Sequence, residues 1–298
     1  MATFKDQDLT DAEFRECDLT RARLIGVVMQ DAVIDGLVSN LVVNGVEVMS
    51  YVEAELDRRH PVRLLIRSAD PADLRHGFLQ LRTDWAATLE RLQRMPKGSE
   101  HQRVGGEWST VETLRHLVFV HDSWFRRCCL DSTEPFTAIG LAGEFVPDQE
   151  EQGLDPAAAP TLDEVLAARD MQGAELERWL STVADGQLSA PAPVPAGGGW
   201  PPYARGKPVL ECVHVVLGQE RAHHGFCARD LRLLGGRAWW RRRPPCLPRE
   251  HRLRPNIPAH KAHESARRQE TGDPALPWHS PASAADGVRL RRSRHERH

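Results

Sequence analysis

Apolar positions at helical spacing mark four long segments of the chain. The segments cover residues 71–95, 109–130, 161–183 and 208–234. Two of them begin with the spacing of a capping box, Ser109 with Glu112 and Thr161 with Glu164. Four long helices without strand patterns between them predict a mainly α protein built on an up-and-down four-helix bundle.

A different period precedes the helices, because large apolar residues recur at every fifth position near the start of the chain. They are Phe4, Leu9, Phe14, Leu19, Leu24, Met29 and Ile34. Neither a helix nor a flat strand has a period of five. The pattern resembles pentapeptide repeats, in which five residues form one side of a square β-helix. Residues 2–36 would make fewer than two coils, so we expect a small β cap that packs against the helical domain.

The predicted organisation therefore has four parts. They are a pentapeptide-repeat-like β segment (1–45), a connecting helix and linker (46–70), the bundle (71–236) and a disordered Arg/Pro/His-rich tail (237–298). Pro- and Gly-rich stretches predict two long loops inside the bundle, at 131–160 and 186–208.

Composition narrows the class of protein. Apolar residues make up 41% and charged residues 27%, as in ordinary soluble proteins. No apolar run reaches the ~20 residues that span a bilayer, and the N-terminus lacks an apolar signal sequence, which predicts a cytoplasmic protein without a membrane partner. The six cysteines lack CxxC pairs and are expected to be reduced thiols.

Charge is distributed unevenly along the chain. Residues 237–298 hold 15 Lys and Arg against 6 Asp and Glu, whereas the remainder holds 24 against 36. An acidic body repels nucleic acid, so only the basic tail offers a weak attraction to it.

The fourth helix contains the candidate chemistry. Its predicted inward stripe includes Leu217, Glu220, His224 and Cys227, while the neighbouring His223 lies about 100° off that stripe. Side chains at i and i+4 can reach one ion. Spacing alone leaves two alternatives open: a metal site shared with His116 of the second helix, or a buried Glu–His hydrogen bond joined by Arg221 or Arg229.

Three motifs resemble the DinB/YfiT-like metal-dependent superfamily, in particular the actinobacterial branch with the mycothiol-dependent maleylpyruvate isomerases. The segment WSTVETLRHL (108–117) is similar to the family's W-S-x-x-E-x-L-x-H-L, and ERAHH (220–224) is similar to E-x-x-x-H. HHGFCARDL (223–231) is similar to H-H-x-x-A-x-R-D-L. The resemblance implies a divalent ion, zinc or alternatively nickel, bound by His116, Glu220 and His224.

Family members with a known activity use a low-molecular-weight thiol such as mycothiol, which the metal binds and acidifies. The resemblance thus implies a thiol transferase or isomerase that acts on a small electrophile and forms a homodimer. The alternative is a non-enzymatic binding module in which the Glu–His pair is structural. His121 is interpreted as a surface or loop-facing residue. Asp122 and Arg229 are interpreted as helix-surface charges, with hydrogen-bonding support of the site residues as the alternative, and Cys227 as a small buried thiol.

Overall fold

A computed structural model describes residues 2–14, 17–36, 38–143, 146–193 and 200–240. The described elements are β1 (Val42–Val43), β2 (Val46–Glu47), α1 (Met49–Arg59), α2 (Val62–Leu65), α3 (Pro71–Gln93), α4 (Thr110–Val120), α5 (Arg127–Leu130), α6 (Leu162–Leu180), α7 (Asp185–Leu188) and α8 (Val209–Trp240). A π-helical segment, His121–Arg126, joins α4 to α5, and short 3-10 turns lie at Ser99–His101 and Pro202–Ala204. The predicted disorder of the tail from residue 241 onward lies outside the described residues.

The helices begin where the sequence places their caps. Asp70 accepts a hydrogen bond from the backbone N–H of Ala72 at the start of α3. Both predicted capping boxes, Ser109 with Glu112 and Thr161 with Glu164, are confirmed. The predicted end of the last helix at Gly235–Gly236 is wrong, since α8 continues to Trp240. Glycine costs about 1 kcal/mol inside a helix but does not by itself end one.

The four long helices form the predicted bundle. Both α3 and α4 pack against α6 and against α8, so α8 contacts α3 along one side and α4 along the other. The two larger buried apolar clusters lie around Phe125 and Leu217 and around Leu114 and Leu231, and a smaller third one contains Cys128 and Cys212. In the described part of the chain, we find no helix that combines the length and the apolar character needed to cross a membrane.

The loop between α5 and α6 is well packed. Phe136, Val146 and Leu154 from this loop are buried in the first apolar cluster. The backbone N–H of Leu141 also donates to the carbonyl of Arg115 on α4, over 3.1 Å. The loop therefore covers α4 on the side that carries Arg115 and His116.

The N-terminal segment shows the five-residue period in its backbone. Residues at every fifth position adopt left-handed φ values of +53° to +66°, at Asp6, Asp11, Arg21, Gly26 and Asp31. Turn hydrogen bonds join Ala12 N to Leu9 O and Ala22 N to Leu19 O. These turns place a corner after each group of five residues, as a square coil requires.

The expectation that this segment packs as a cap on the bundle is wrong. Its seven periodic apolar side chains, from Phe4 to Ile34, are 46–65% exposed. Fewer than two coils cannot enclose an interior of their own, so these side chains remain accessible. The two-stranded sheet that follows is a hairpin with antiparallel register Val42–Glu47 and Val43–Val46, turned through Asn44 and Gly45 at positive φ.

Candidate functional site

Glu220 lies inside the bundle, in a charge-compensated contact. Its carboxylate forms an ion pair with Arg169 of α6, in which the Nη1–Oε1 distance is 2.6 Å and the Nη2–Oε2 distance is 2.7 Å. The indole N–H of Trp85 on α3 also donates to Oε2 over 3.1 Å. Glu220 is 4% exposed. Both carboxylate oxygens therefore have strong donors, and neither Arg221 nor Arg229 is the partner.

His224, one turn further along α8, faces α3. Its Nε2 lies 2.9 Å from the hydroxyl of Thr88 and 3.1 Å from the backbone carbonyl of Asp84. The imidazole packs edge-on against Trp85, with ring centroids 5.1 Å apart. This side of α8 thus holds Glu220 and His224 in contacts with α3 and α6.

His116 lies on the other side of α8, where α4 packs. It is 8% exposed, and its Nδ1 lies 3.0 Å from the backbone carbonyl of Leu141. Because that carbonyl can only accept, Nδ1 carries the proton and Nε2 presents its lone pair. This is the orientation that metal-binding histidines commonly adopt.

The imidazole next to His116 is His223. The two ring centroids are 4.8 Å apart, and His223 is only 5% exposed. The prediction that His223 lies off the buried face is therefore wrong, because α8 is covered by α4 as well as by α3. Gln219, one turn before His223, has its Oε1 2.8 Å from His223 Nε2. Its side chain also hydrogen-bonds to His116.

The structure consequently does not bring His116, Glu220 and His224 to one point. It pairs His116 with His223 and Gln219, and it pairs Glu220 with Arg169. Among the residues described, no three His, Cys, Asp or Glu side chains converge in a way that could hold a metal. Ligation by Glu220 and His224 stays a prediction from the sequence.

Burial keeps the two facing imidazoles neutral. It lowers the pKa of His116 to about 4. Burial also lowers the pKa of His223 well below its usual value, and the neighbouring His116 acts in the same direction. Neutral imidazoles are the form that binds metal ions. In the contact with Gln219, Oε1 can only accept, so His223 Nε2 carries the proton.

Aromatic side chains enclose this pair. The half-buried ring of Trp108 lies 4.9 Å from His116 and stacks on His223 at 6.2 Å between centroids. Phe226 packs edge-on against His223 at 5.7 Å. Cys227 is buried, as predicted, and its thiol lies 3.4 Å from the hydroxyl of Thr110. Because burial raises the pKa of Cys227 to about 11, it is a packed thiol and not a nucleophile.

A further polar cluster was not expected from the sequence. His121 and Asp122 are 3% and 2% exposed, so their interpretation as surface residues is wrong. His121 Nε2 lies 3.2 Å from Glu175, and Asp122 accepts from Thr137 N and from Gln172. The π-helical segment turns both side chains towards α6 and the loop.

Some of these partners left a signal in the sequence. Arg169 and Gln172 interrupt the apolar spacing of Val165 and Leu176 on α6. Polar residues on a buried stripe need partners. The stripe thus indicates that α6 contributes to buried polar clusters, although it does not identify the partners on other helices.

Comparisons with known proteins support the two parts of the chain separately. Residues 80–227 match the family model of the DinB superfamily. Residues 2–36 match pentapeptide repeats, in eight copies. No curated protein and no solved structure matches the chain.

Proposed function

The helical body of the chain, residues 80–227, belongs to the DinB superfamily, and from this we propose that the protein binds a divalent metal ion for chemistry on a low-molecular-weight thiol. The ion is zinc, with nickel as the alternative. The observation that carries the metal proposal is the buried pair of neutral imidazoles, His116 and His223, joined through the amide of Gln219.

The donor set at this pair fits a divalent ion. Two imidazole nitrogens and one amide oxygen would supply three donors without a negative charge once an ion replaces the hydrogen bond between His223 and Gln219. A zinc site with three protein ligands keeps one position open. Gln219 and His223 project from α8 at i and i+4, and His116 faces them from α4. The hydrogen bond between His116 Nδ1 and Leu141 fixes the ring, and the rings of Trp108 and Phe226 limit the access of water.

The thiol part of the proposal is supported by the three motifs shared with the mycothiol-dependent branch. A bound divalent ion lowers the pKa of a thiol and holds it as the thiolate, which is the nucleophile. The chain's own thiols near the site do not supply this group, since Cys227 is buried against Thr110. An external thiol would reach the site past Trp108, which is only half-buried.

Zinc titration of the full-length protein and four variants tests the metal proposal. We expect His116→Ala and His223→Ala to weaken zinc binding by about 100-fold or more. Glu220→Gln and His224→Ala serve as matched changes on the same helix and should change it by less than about threefold. If the wild-type protein takes up no zinc or nickel, the proposal fails. Loss of zinc in Glu220→Gln and His224→Ala alone would instead support the ligands predicted from the sequence.

Cobalt substitution tests the thiol part. A low-molecular-weight thiol added to the cobalt-loaded protein should produce a thiolate-to-cobalt charge-transfer band in the near ultraviolet. The band should be absent in His223→Ala. A cobalt-loaded protein that shows no band at saturating thiol would contradict thiol binding while leaving the metal proposal intact.

A second candidate function is a binding module that associates through its N-terminal segment. The exposed periodic side chains favour it, because coils of this type bury their interior by stacking on further coils. This candidate predicts a homodimer that Leu9→Asp with Leu19→Asp dissociates in light scattering, with Thr10→Asp as the control. A dimer that resists the double substitution, or a monomeric wild-type protein, would count against it.

A further inference from the structure

Arg115 precedes His116 on α4 and is a buried cation with few partners. Its side chain is 8% exposed, and Nε donates to the backbone carbonyl of Ile139 over 2.8 Å. Its Nη2 is enclosed, and no group in the described ranges accepts a hydrogen bond from it. A buried donor without an acceptor is costly, and more so when it is charged.

Arg169 is a largely buried arginine of the same bundle that, unlike Arg115, has a carboxylate partner. The guanidinium of Arg169 meets both oxygens of Glu220. Two carboxylates act on Arg115 electrostatically, but each has other hydrogen-bond partners. Glu112 accepts from Arg103 and Ser109, and Asp155 accepts from the backbone N–H of Ala157.

An open cavity of about 250 Å³ lies beside Arg115 at the start of α4. Arg103, Glu112, Arg115 and Ala158 are among the residues that line it. Arg103 pairs with Glu112 at this cavity, whereas Arg115 makes no ion pair within 4 Å in the described ranges and feels Glu112 and Asp155 only at longer range. The N-terminal end of α4 adds the positive end of its helix dipole.

We infer that this cavity is a binding site for a small organic carboxylate, which accepts a charge-assisted hydrogen bond from the part of the Arg115 guanidinium that lines the cavity. The enclosed part of the cavity, about 250 Å³, is large enough for a carboxylate with a few carbon atoms. Ile139 and Leu141 of one loop contact Arg115 and His116 respectively, so the cavity lies next to the proposed metal site without sharing its donors.

Thermal unfolding of the full-length protein with acetate, malonate or inorganic phosphate tests this site, with chloride at equal ionic strength as the reference. Acetate and malonate should raise the midpoint saturably. Arg115→Gln should weaken this binding by about 10- to 100-fold, the effect of losing hydrogen bonds between charged groups. The control Arg94→Gln removes an exposed arginine, 70% accessible and paired with Glu90, and should leave binding unchanged.

Two further variants keep the test decisive. Ala158→Leu narrows the cavity without altering Arg115 and should also weaken carboxylate binding, so the conclusion does not depend on Arg115→Gln folding. His223→Ala should retain binding, which separates the cavity from a carboxylate held by a metal ion. Equal binding by wild type and Arg115→Gln, the absence of saturation in the wild type, or binding of phosphate without carboxylates would each overturn the inference.

Discussion

Two polar clusters lie side by side on α8. One contains Glu220 and His224, the other contains Gln219 and His223, and they differ in charge. On the side of α3 and α6, Glu220 forms an ion pair with Arg169. On the side of α4, His116 and His223 are neutral and share only the amide of Gln219. The first cluster is a compensated ion pair, whereas the second consists of two neutral imidazoles that hydrogen-bond to one amide and have no counter-charge beside them.

The difference shows that burial of polar residues has two distinct physical explanations in one helix. A carboxylate with three donors is satisfied and contributes to the packing of three helices. Two adjacent imidazoles without a counter-charge are suited to a cation that the protein itself does not provide. Substitutions on each side should therefore affect different measurements.

The largest expected effect is a loss of stability when the ion pair between Glu220 and Arg169 is broken. Glu220→Leu leaves Arg169 buried without its partner, and the free energy of unfolding should fall by about 3–5 kcal/mol in urea titrations. The double variant Arg169→Met with Glu220→Leu should recover most of the loss. Glu211→Leu removes a half-exposed glutamate of α8 that pairs with Lys207, just before the helix, and should cost less than about 1 kcal/mol. A stable Glu220→Leu protein that no longer binds zinc would show that Glu220 is a ligand after all.

The next effect is a change in zinc affinity at His116 and His223. Gln219→Glu supplies a carboxylate next to His116 and His223, and it should tighten zinc binding by about 10-fold in competition titrations. Gln93→Glu adds the same charge at an exposed position on α3 and should leave the affinity unchanged. Weaker zinc binding in Gln219→Glu would contradict a metal between these two histidines.

The sequence predicts the long helices because their apolar periods and caps are local properties. The apolar pattern of α8 places Glu220 and His224 on the inward stripe and His223 about 100° off it, yet His223 is buried as well. The residue of α8 that meets His116 depends on how α8 is rotated against α4. It also depends on the 131–161 loop, because the carbonyl of Leu141 in this loop fixes the ring of His116. Such long-range packing leaves no periodic signal.

The N-terminal segment also shows that local geometry is easier to predict than long-range packing. Its five-residue period was predicted, and the left-handed turns at Asp6 and Asp11 confirm it. Its packing was not, since the pattern specifies which side chains face inward but does not state how many coils are needed to cover them. Local geometry was therefore predictable, and burial was not.

Acid should lower the stability of the protein through the partly buried cluster of Glu175, His121 and Arg126. The hydrogen bond from His121 and the ion pair with Arg126 lower the pKa of Glu175 to about 2, although burial opposes them. A lowered pKa contributes stability above pH 4.5, and this contribution is lost as the pH falls towards 2. Because the Glu175 side chain is 30% exposed, we expect a loss of only about 1 kcal/mol. Urea midpoints at pH 5 and pH 3 should therefore shift less in Glu175→Gln than in wild type, and a Glu90→Gln control should behave like wild type.

The smallest expected effect concerns the stability of α8 alone, independently of its two polar clusters. Gly225 lies on α8 directly after His224, is exposed, and has open space where a Cβ would extend. Gly225→Ala should raise the free energy of unfolding by about 0.5–1 kcal/mol, because alanine restricts the unfolded chain and favours the helix. Zinc affinity should remain unchanged, since neither Gln219 nor His223 is touched. If Gly225→Ala instead tightened zinc binding, the local flexibility of α8 would limit the neutral site, and the two clusters would not be independent.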